Sequence, residues 1–169
     1  MSSKSKALDD LRRRIDAIDD AVHDLLIERS ELATEILAAK PPERDRGSAM
    51  HPGREAEVLR RLLDRHRGVL PAIVVADLWR GLMSAFVRLQ GPLEVAVCAP
   101  EKSVGYWDLA RAHFGTDAAM TLHRSPTVVL RAVTEGEGTV AVLPLPQEDE
   151  PEPWWQQLAA DAPRAPRII

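Results

Sequence analysis

Six polar residues in the first half of the chain have types and positions that suit binding of a small anion. They are Arg12, Arg29, Lys40, Arg54, Glu55 and Gln90. Guanidinium groups hold carboxylates through two parallel hydrogen bonds, and an ammonium or a neutral amide adds a further donor. The set therefore predicts a site for a compact polyanion that carries carboxylate groups.

One predicted helix must position three of these residues, because Arg12, Arg29 and Lys40 fall within a single periodic pattern. Nine positions repeat at a spacing of three or four, and all but Arg29 are apolar: Leu8, Leu11, Ile15, Ile18, Val22, Leu25, Arg29, Leu32 and Ile36. No Gly or Pro interrupts residues 7–40, so the pattern predicts one amphipathic helix, about 50 Å long, with this face buried. A helix of that length needs a partner along its apolar face, which favours an intertwined helical dimer.

Arg29 occupies the one polar position of that face. A cation among packed apolar side chains needs an anionic partner, which is either a bound anion or a neighbouring acid such as Glu28 or Asp24. Lys40 lies about 20° from Arg29 around the helix, so both cations face the same way. Arg12 lies about 100° from Arg29, so one helix cannot easily direct both at one ligand.

Two further helices are predicted at residues 52–67 and 71–90, after which the period of the pattern changes. Strands are predicted at 93–98, 119–123 and 139–143, helices at 104–114 and 126–134, a short helix at 154–160 and the start of a strand at 167–169. The β-α-β-α-β order implies a parallel sheet. We therefore expect a helical domain at 1–91 and a small α/β lobe at 92–169.

Composition argues against several classes of function. The net charge of −4 disfavours a nucleic-acid-binding protein, since such domains are usually basic. No apolar run is long enough for a membrane span, and the first ten residues lack the apolar core of a secretory signal. The single cysteine, Cys98, suits a reducing cytoplasm and reads as a buried strand residue. The five histidines show no metal-ligand spacing, so no metal is expected.

The helical region resembles the all-helical chorismate mutase family. The matching residues are L-x-x-L-R-x-x-I-D-x-I-D at 8–19, L-L-x-x-R at 25–29, Lys40, the Arg54–Glu55 pair and Gln90. The resemblance covers residues 8–90 and implies an intertwined homodimer that converts chorismate to prephenate, on the route to phenylalanine and tyrosine. It also implies a pericyclic reaction without a metal or other cofactor.

By this resemblance, Lys40, Gln90 and Arg29 are the catalytic residues. Lys40 would contact a substrate carboxylate and the breaking ether oxygen, and Gln90 would donate to the same oxygen. Arg29 would bind a carboxylate. The implied catalysis is positioning of a compact substrate conformer together with stabilisation of the charge that develops on the ether oxygen.

The resemblance makes the other three residues substrate-binding: Arg12 from the second chain would hold a carboxylate, Glu55 would accept from the substrate hydroxyl, and Arg54 would frame the site. Two positions depart from the family pattern. His51 stands where an acidic residue is usual, and Phe86 where a small hydroxyl residue is usual. We expect Phe86 either to border the pocket and weaken binding or to pack in the core.

Residues 92–169 resemble the first lobe of a prephenate dehydratase. The matching segments are G-Y-W-D-L-A through F-G at 105–115 and A-V through L-P-L at 132–145. The Asn-Ser/Thr of that family is replaced by Pro146-Gln147, and the Thr-Arg-Phe catalytic motif does not occur. We therefore expect a partial, degenerate lobe without dehydratase activity, in a chain that is a piece of a longer protein.

Two other functions stay open from the sequence. An isochorismate pyruvate-lyase uses the same helical scaffold, although a dehydratase-like lobe belongs with prephenate. A non-catalytic homologue would keep the anion site and sense a ligand, with His51 and Phe86 reducing turnover. Turnover of chorismate, measured beside binding of a bicyclic transition-state analogue, separates the three.

Overall fold

The computed structural model describes residues 3–39, 50–99, 105–136, 138–147, 153–159 and 165–169. In chain order the elements are α1 (Ser3–Ala39), α2 (Pro52–Arg65), α3 (Ala72–Gln90), β1 (Glu94–Cys98), α4 (Gly105–Phe114), β2 (Ala119–His123), α5 (Pro126–Glu135), β3 (Val140–Val142) and a 3-10 helix (Trp154–Ala159). The chain forms two compact units, Met1–Pro41 and Pro42–Ile169. Helices α2 and α3 belong to the same unit as the sheet, so the domain boundary expected after residue 91 stays a prediction.

The first unit contains one uninterrupted helix, as the sequence predicts. Helix α1 has 37 residues, which corresponds to about 55 Å. Its face of eight apolar residues, from Leu8 to Ile36, is not buried in the single chain: each of these side chains is 48–63% exposed. The burial expected for this face is therefore not achieved by one chain alone.

Prolines mark the starts of the two following helices. Pro52 is the first residue of α2, and the amide of Glu55 donates to the carbonyl of His51 at 3.0 Å. Pro71 precedes α3, where its carbonyl accepts from the amide of Val75 at 3.3 Å. Proline suits these positions because the first amides of a helix have no partner within the helix. Helix α2 packs against α3.

The sheet has three parallel strands in the order β2-β1-β3. Its central strand β1 is covered on both faces, because side chains alternate along a strand. Val95 and Val97 lie in a core cluster with Phe114 of α4, whereas Ala96 and Cys98 lie in a second cluster with residues of α5. The predicted parallel α/β lobe and the burial of Cys98 are confirmed.

Helix α3 also belongs to the packing of the lobe. Its residue Val87 lies in the same core cluster as the β1 valines, and the buried hydroxyl of Ser84 donates to the carbonyl of Phe114 at the end of α4. Gly115 then adopts a left-handed φ of +86°, and a Cβ placed there would stand 4.0 Å from the Cα of Gly81. The end of α4 is therefore tied closely to α3.

The prediction of a strand beginning at 167–169 is wrong, because residues 165–169 form no strand. A strand needs a hydrogen-bonded neighbour, and Ile168 and Ile169 are instead exposed. The short helix predicted at 154–160 is a 3-10 helix over Trp154–Ala159. Trp154 is buried there and contacts Trp155 edge-on, with ring centroids 6.2 Å apart.

Candidate functional site

The two arginines of α1 have different surroundings. Arg12 is exposed and pairs with Asp9 through Nη1 and Oδ1 at 3.4 Å. Arg29 is half-buried, and desolvation lowers the pKa of its guanidinium from the usual value. The two residues are seventeen positions apart, about 25 Å along the helix axis. One copy of α1 therefore cannot place both guanidinium groups on one small ligand.

Lys40 lies outside the described residues. Its expected contacts with a substrate carboxylate and with the ether oxygen therefore stay predictions from the family resemblance.

The adjacent residues Arg54 and Glu55 face different surroundings. Arg54 is exposed and pairs with Glu57 on the same helix, with 3.1 Å between Nη1 and Oε2. Glu55 is half-buried and lines a small cavity in the second unit. Consecutive residues of a helix point about 100° apart, so an Arg-Glu pair in sequence need not act as a pair in space.

Gln90 is the last residue of α3, as expected. It is half-buried, and its side-chain amide donates to the carbonyl of Phe86 at 3.3 Å. Phe86 itself is only 8% exposed, so its burial favours the packing role over a position beside the ligand. Within the second unit, no recorded hydrogen bond or ion pair joins Arg54, Glu55 and Gln90 to one another.

The cavity beside Glu55 contains polar side chains from three helices. Its lining comprises Met50, Glu55, Arg80, Ser84, Val87, Leu93, His113 and Phe114. The volume of about 10 Å³ is the size of a single water molecule. It is too small for an organic substrate, so the cavity is a polar contact between α2, α3 and α4 and not the ligand pocket.

His113 is the titratable group that this environment changes most. Burial lowers the pKa of its imidazole below the usual value, the negative charge of Glu55 raises it, and the positive charge of Arg80 lowers it further. Because burial is the largest of these effects, the net direction is downward and the imidazole is neutral at neutral pH. Arg80 in turn pairs with Asp77, at 3.4 Å between Nη1 and Oδ1.

Sequence reasoning missed the group formed by Arg80, Ser84 and His113. Each residue alone looks ordinary: Arg80 has an acid three residues before it, and His113 is a basic residue in the last turn of its helix. Only the packing of α4 on α3 brings the three residues to one cavity, and no local sequence signal reports such packing.

The described residues contain no group of three or more His, Cys, Asp or Glu side chains placed to hold a metal ion. No helix among them is long and apolar enough to cross a membrane.

The fold and the polar residues define a class: a helical, cation-bearing domain followed by a small α/β lobe. The family model for chorismate mutase type II matches residues 11–91. This part of the chain belongs to that family, and it corresponds to the N-terminal part of bifunctional chorismate mutase/prephenate dehydratases. The matched span includes all six of the predicted site residues. No solved structure matches the chain significantly.

Relatives with this bifunctional name match most of the chain. The protein of Stutzerimonas stutzeri is 32% identical over 153 residues, covering 88% of this chain and 41% of the relative. The protein of Pseudomonas aeruginosa is 33% identical over 145 residues, covering 83% and 39%, and that of Neisseria gonorrhoeae is 36% identical over 128 residues, covering 73% and 33%. The chain thus spans about two fifths or less of the length of these curated relatives. A match over 88% of the chain must also include much of the α/β lobe.

Proposed function

We propose that this chain is a chorismate mutase that rearranges chorismate to prephenate. The observation that carries the proposal is the family match over residues 11–91, which contains the complete set of polar residues expected to hold a dicarboxylate. The bifunctional relatives, which also carry mutase in their names, support the same assignment. The α/β lobe favours this function over an isochorismate pyruvate-lyase, because dehydratase chemistry takes prephenate.

In the proposed reaction the protein binds, positions and stabilises charge. Arg29 and a partner chain's Arg12 hold the two carboxylates, which fixes the reacting ends of chorismate close together. Lys40 and Gln90 donate to the ether oxygen, where negative charge grows as the carbon–oxygen bond breaks. Glu55 accepts from the substrate hydroxyl, and Arg54 adds positive charge at the rim. The bond changes occur within the substrate, so no covalent intermediate with the protein is needed.

We further propose that the working form is a homodimer. The exposed apolar face of α1 supports it, because a contiguous apolar stripe along a helix of about 55 Å is typical of an interaction surface. The 25 Å axial separation of Arg12 and Arg29 also supports it, since a second copy of α1 can supply the missing cation to each site. The single cysteine of the chain, Cys98, supports a reducing compartment, for which we propose the cytoplasm.

The experiment is to measure chorismate consumption and prephenate formation by the purified chain, together with equilibrium binding of a bicyclic transition-state analogue. A mutase consumes chorismate and binds the analogue. A ligand-sensing homologue binds the analogue without turnover, and a lyase releases pyruvate from isochorismate. Arg29→Ala should abolish analogue binding, whereas Arg14→Ala, an exposed arginine of the same helix, serves as the matched control.

A further inference from the structure

The cavity between α2, α3 and α4 connects a residue of the proposed active site to the α/β lobe. Glu55, in the first turn of α2, is the residue expected to accept from the substrate hydroxyl. His113, in the last turn of α4, lines the same cavity, where the negative charge of Glu55 raises the pKa of the imidazole against the larger lowering by burial. No direct hydrogen bond or ion pair joins these two described side chains, but the cavity between them has room for about one water molecule, which could bridge the carboxylate and the imidazole.

The position of His113 is fixed by several contacts. The next residue, Phe114, accepts the buried hydrogen bond from Ser84 of α3. The ring of Phe114 also contacts the His113 imidazole edge-on, with centroids 4.7 Å apart and an interplanar angle of 79°. Gly115 lets the chain turn immediately after α4. His113 therefore lies at a helix end that is packed against α3.

We propose that His113 is a positioning residue for Glu55: it holds the carboxylate in the orientation that receives the substrate hydroxyl, so that the α/β lobe contributes to the mutase site. This proposal rests on the proposed mutase function. A carboxylate has two oxygens and about four acceptor positions, so one oxygen can face the imidazole while the other accepts from the substrate.

The charge state of His113 decides how it acts on Glu55. A neutral imidazole offers one N–H and leaves the carboxylate fully available as an acceptor, whereas an imidazolium would form an ion pair and draw the carboxylate away from the substrate. The charged groups that act on His113 are Glu55 from α2 and Arg80 from α3; the β1 side chains packed against α4 are apolar. Arg80 pairs with Asp77.

The test uses the full chain and measures kcat and KM for chorismate from pH 5 to 8, with the melting temperature of each variant. H113F fills similar space without a donor, and H113N keeps a neutral donor that does not titrate. We expect H113F to raise KM about tenfold with a smaller change in kcat, because the bond to the substrate hydroxyl exists in ground and transition states alike. H113N should stay within about threefold of wild-type KM at pH 7.5, since it restores the donor.

The pH profile and a double-variant cycle distinguish positioning from simple packing. Wild-type KM should rise only at the acidic end of this pH range, because burial lowers the pKa of His113 below its usual value and the imidazole takes up a proton there, and H113N should lack that rise. E55Q should weaken binding, and adding H113F to E55Q should change KM little further, since both act through one group. His123→Asn, on β2 and away from this cavity, is the control and should match wild type.

Four outcomes overturn the proposal. A wild-type chain that does not turn over chorismate overturns the proposed function and this proposal with it. Wild-type turnover with an unchanged KM in H113F, even with a lower melting temperature, overturns the positioning role alone. If the effects of H113F and E55Q on KM multiply in the double variant, the two residues act independently, and the positioning role is overturned as well. If H113F does not fold, an acid rise in KM that persists in H113N overturns the role.

Discussion

The large apolar residues on the periodic face of α1 are exposed, whereas the core residues of the α/β lobe are buried between the sheet and helices α3, α4 and α5. Leu25 and Ile18 of α1 are 63% and 62% exposed, while Val97 and Val129 of the lobe are completely buried. The difference follows from local connections: helices that join parallel strands return to cover the sheet, but an isolated helix has no such cover. The sheet therefore closes its core with α3, α4 and α5, and the apolar face of α1 needs a second surface.

The two regions also differ in how many residues of the proposed active site they contain. Two of the cations of the proposed site, Arg12 and Arg29, lie on α1, the element whose apolar face is exposed in one chain. The lobe contains no predicted site residue, and we propose that it contributes to the site only through the effect of His113 on Glu55. The experiments below test whether packing within the second unit determines the stability of the protein. They also test whether catalysis requires two copies of α1 to associate.

The largest expected loss of stability follows Phe86→Ser in α3. Phe86 is 8% exposed, so truncation should leave a cavity and cost roughly 3–5 kcal/mol, measured by denaturant unfolding. Leu89→Ser, at a 52% exposed position of the same helix, should cost far less. A Phe86→Ser protein with unchanged stability and a few-fold higher kcat/KM would instead place Phe86 beside the ligand.

A matched pair of leucine substitutions compares the two regions directly. Leu130→Ala in α5, at a position 3% exposed, should cost about 2–5 kcal/mol at any protein concentration. Leu25→Ala in α1 should instead weaken self-association, so its melting temperature should depend on protein concentration more than that of wild type. Sedimentation equilibrium checks the second effect, and equal, concentration-independent losses in both variants would remove the contrast.

Lys40→Ala tests whether Lys40 assists the reaction by donating to the ether oxygen. We expect kcat to fall by about a hundredfold or more, because removing one donor to a developing charge acts on the transition state. Lys6→Ala, which changes an exposed lysine of α1, is the control and should leave kcat unchanged. A Lys40→Ala enzyme that changes only in KM would show that Lys40 binds substrate without assisting the reaction.

Much of this fold is predictable from local pattern. The strand at 119–123 and the end of α3 at Gln90 are found where expected, and the starts of α2 and α5 coincide with prolines. Strand β3 is shorter than predicted, Val140–Val142, because the alternating pattern continues past the residues that pair with β1. Periodicity indicates which face of an element is apolar, but it does not indicate where the hydrogen-bonded pairing between two strands ends.

The candidate site is less predictable. Sequence pattern identifies Arg29 as a polar residue on an apolar face, and the structure finds it half-buried. The sequence pattern does not show that Arg54 and Glu55 have different surroundings. Their angular separation around α2 has this consequence only when the neighbouring helices are in place. The placement of Glu55 and His113 at one cavity depends on packing between helices far apart in sequence, which the pattern of one segment does not contain.

The most direct test of the central claim, that two copies of α1 build each active site, is to mix two inactive variants. Arg12→Ala and Arg29→Ala chains should each be inactive alone, while subunit exchange between them gives heterodimers with one intact site. Random exchange of equal amounts makes half of the dimers heterodimeric, so about a quarter of wild-type chorismate mutase activity should return. No recovery in a mixture shown by sedimentation to exchange subunits, or a wild-type chain that is monomeric and active, would contradict the claim.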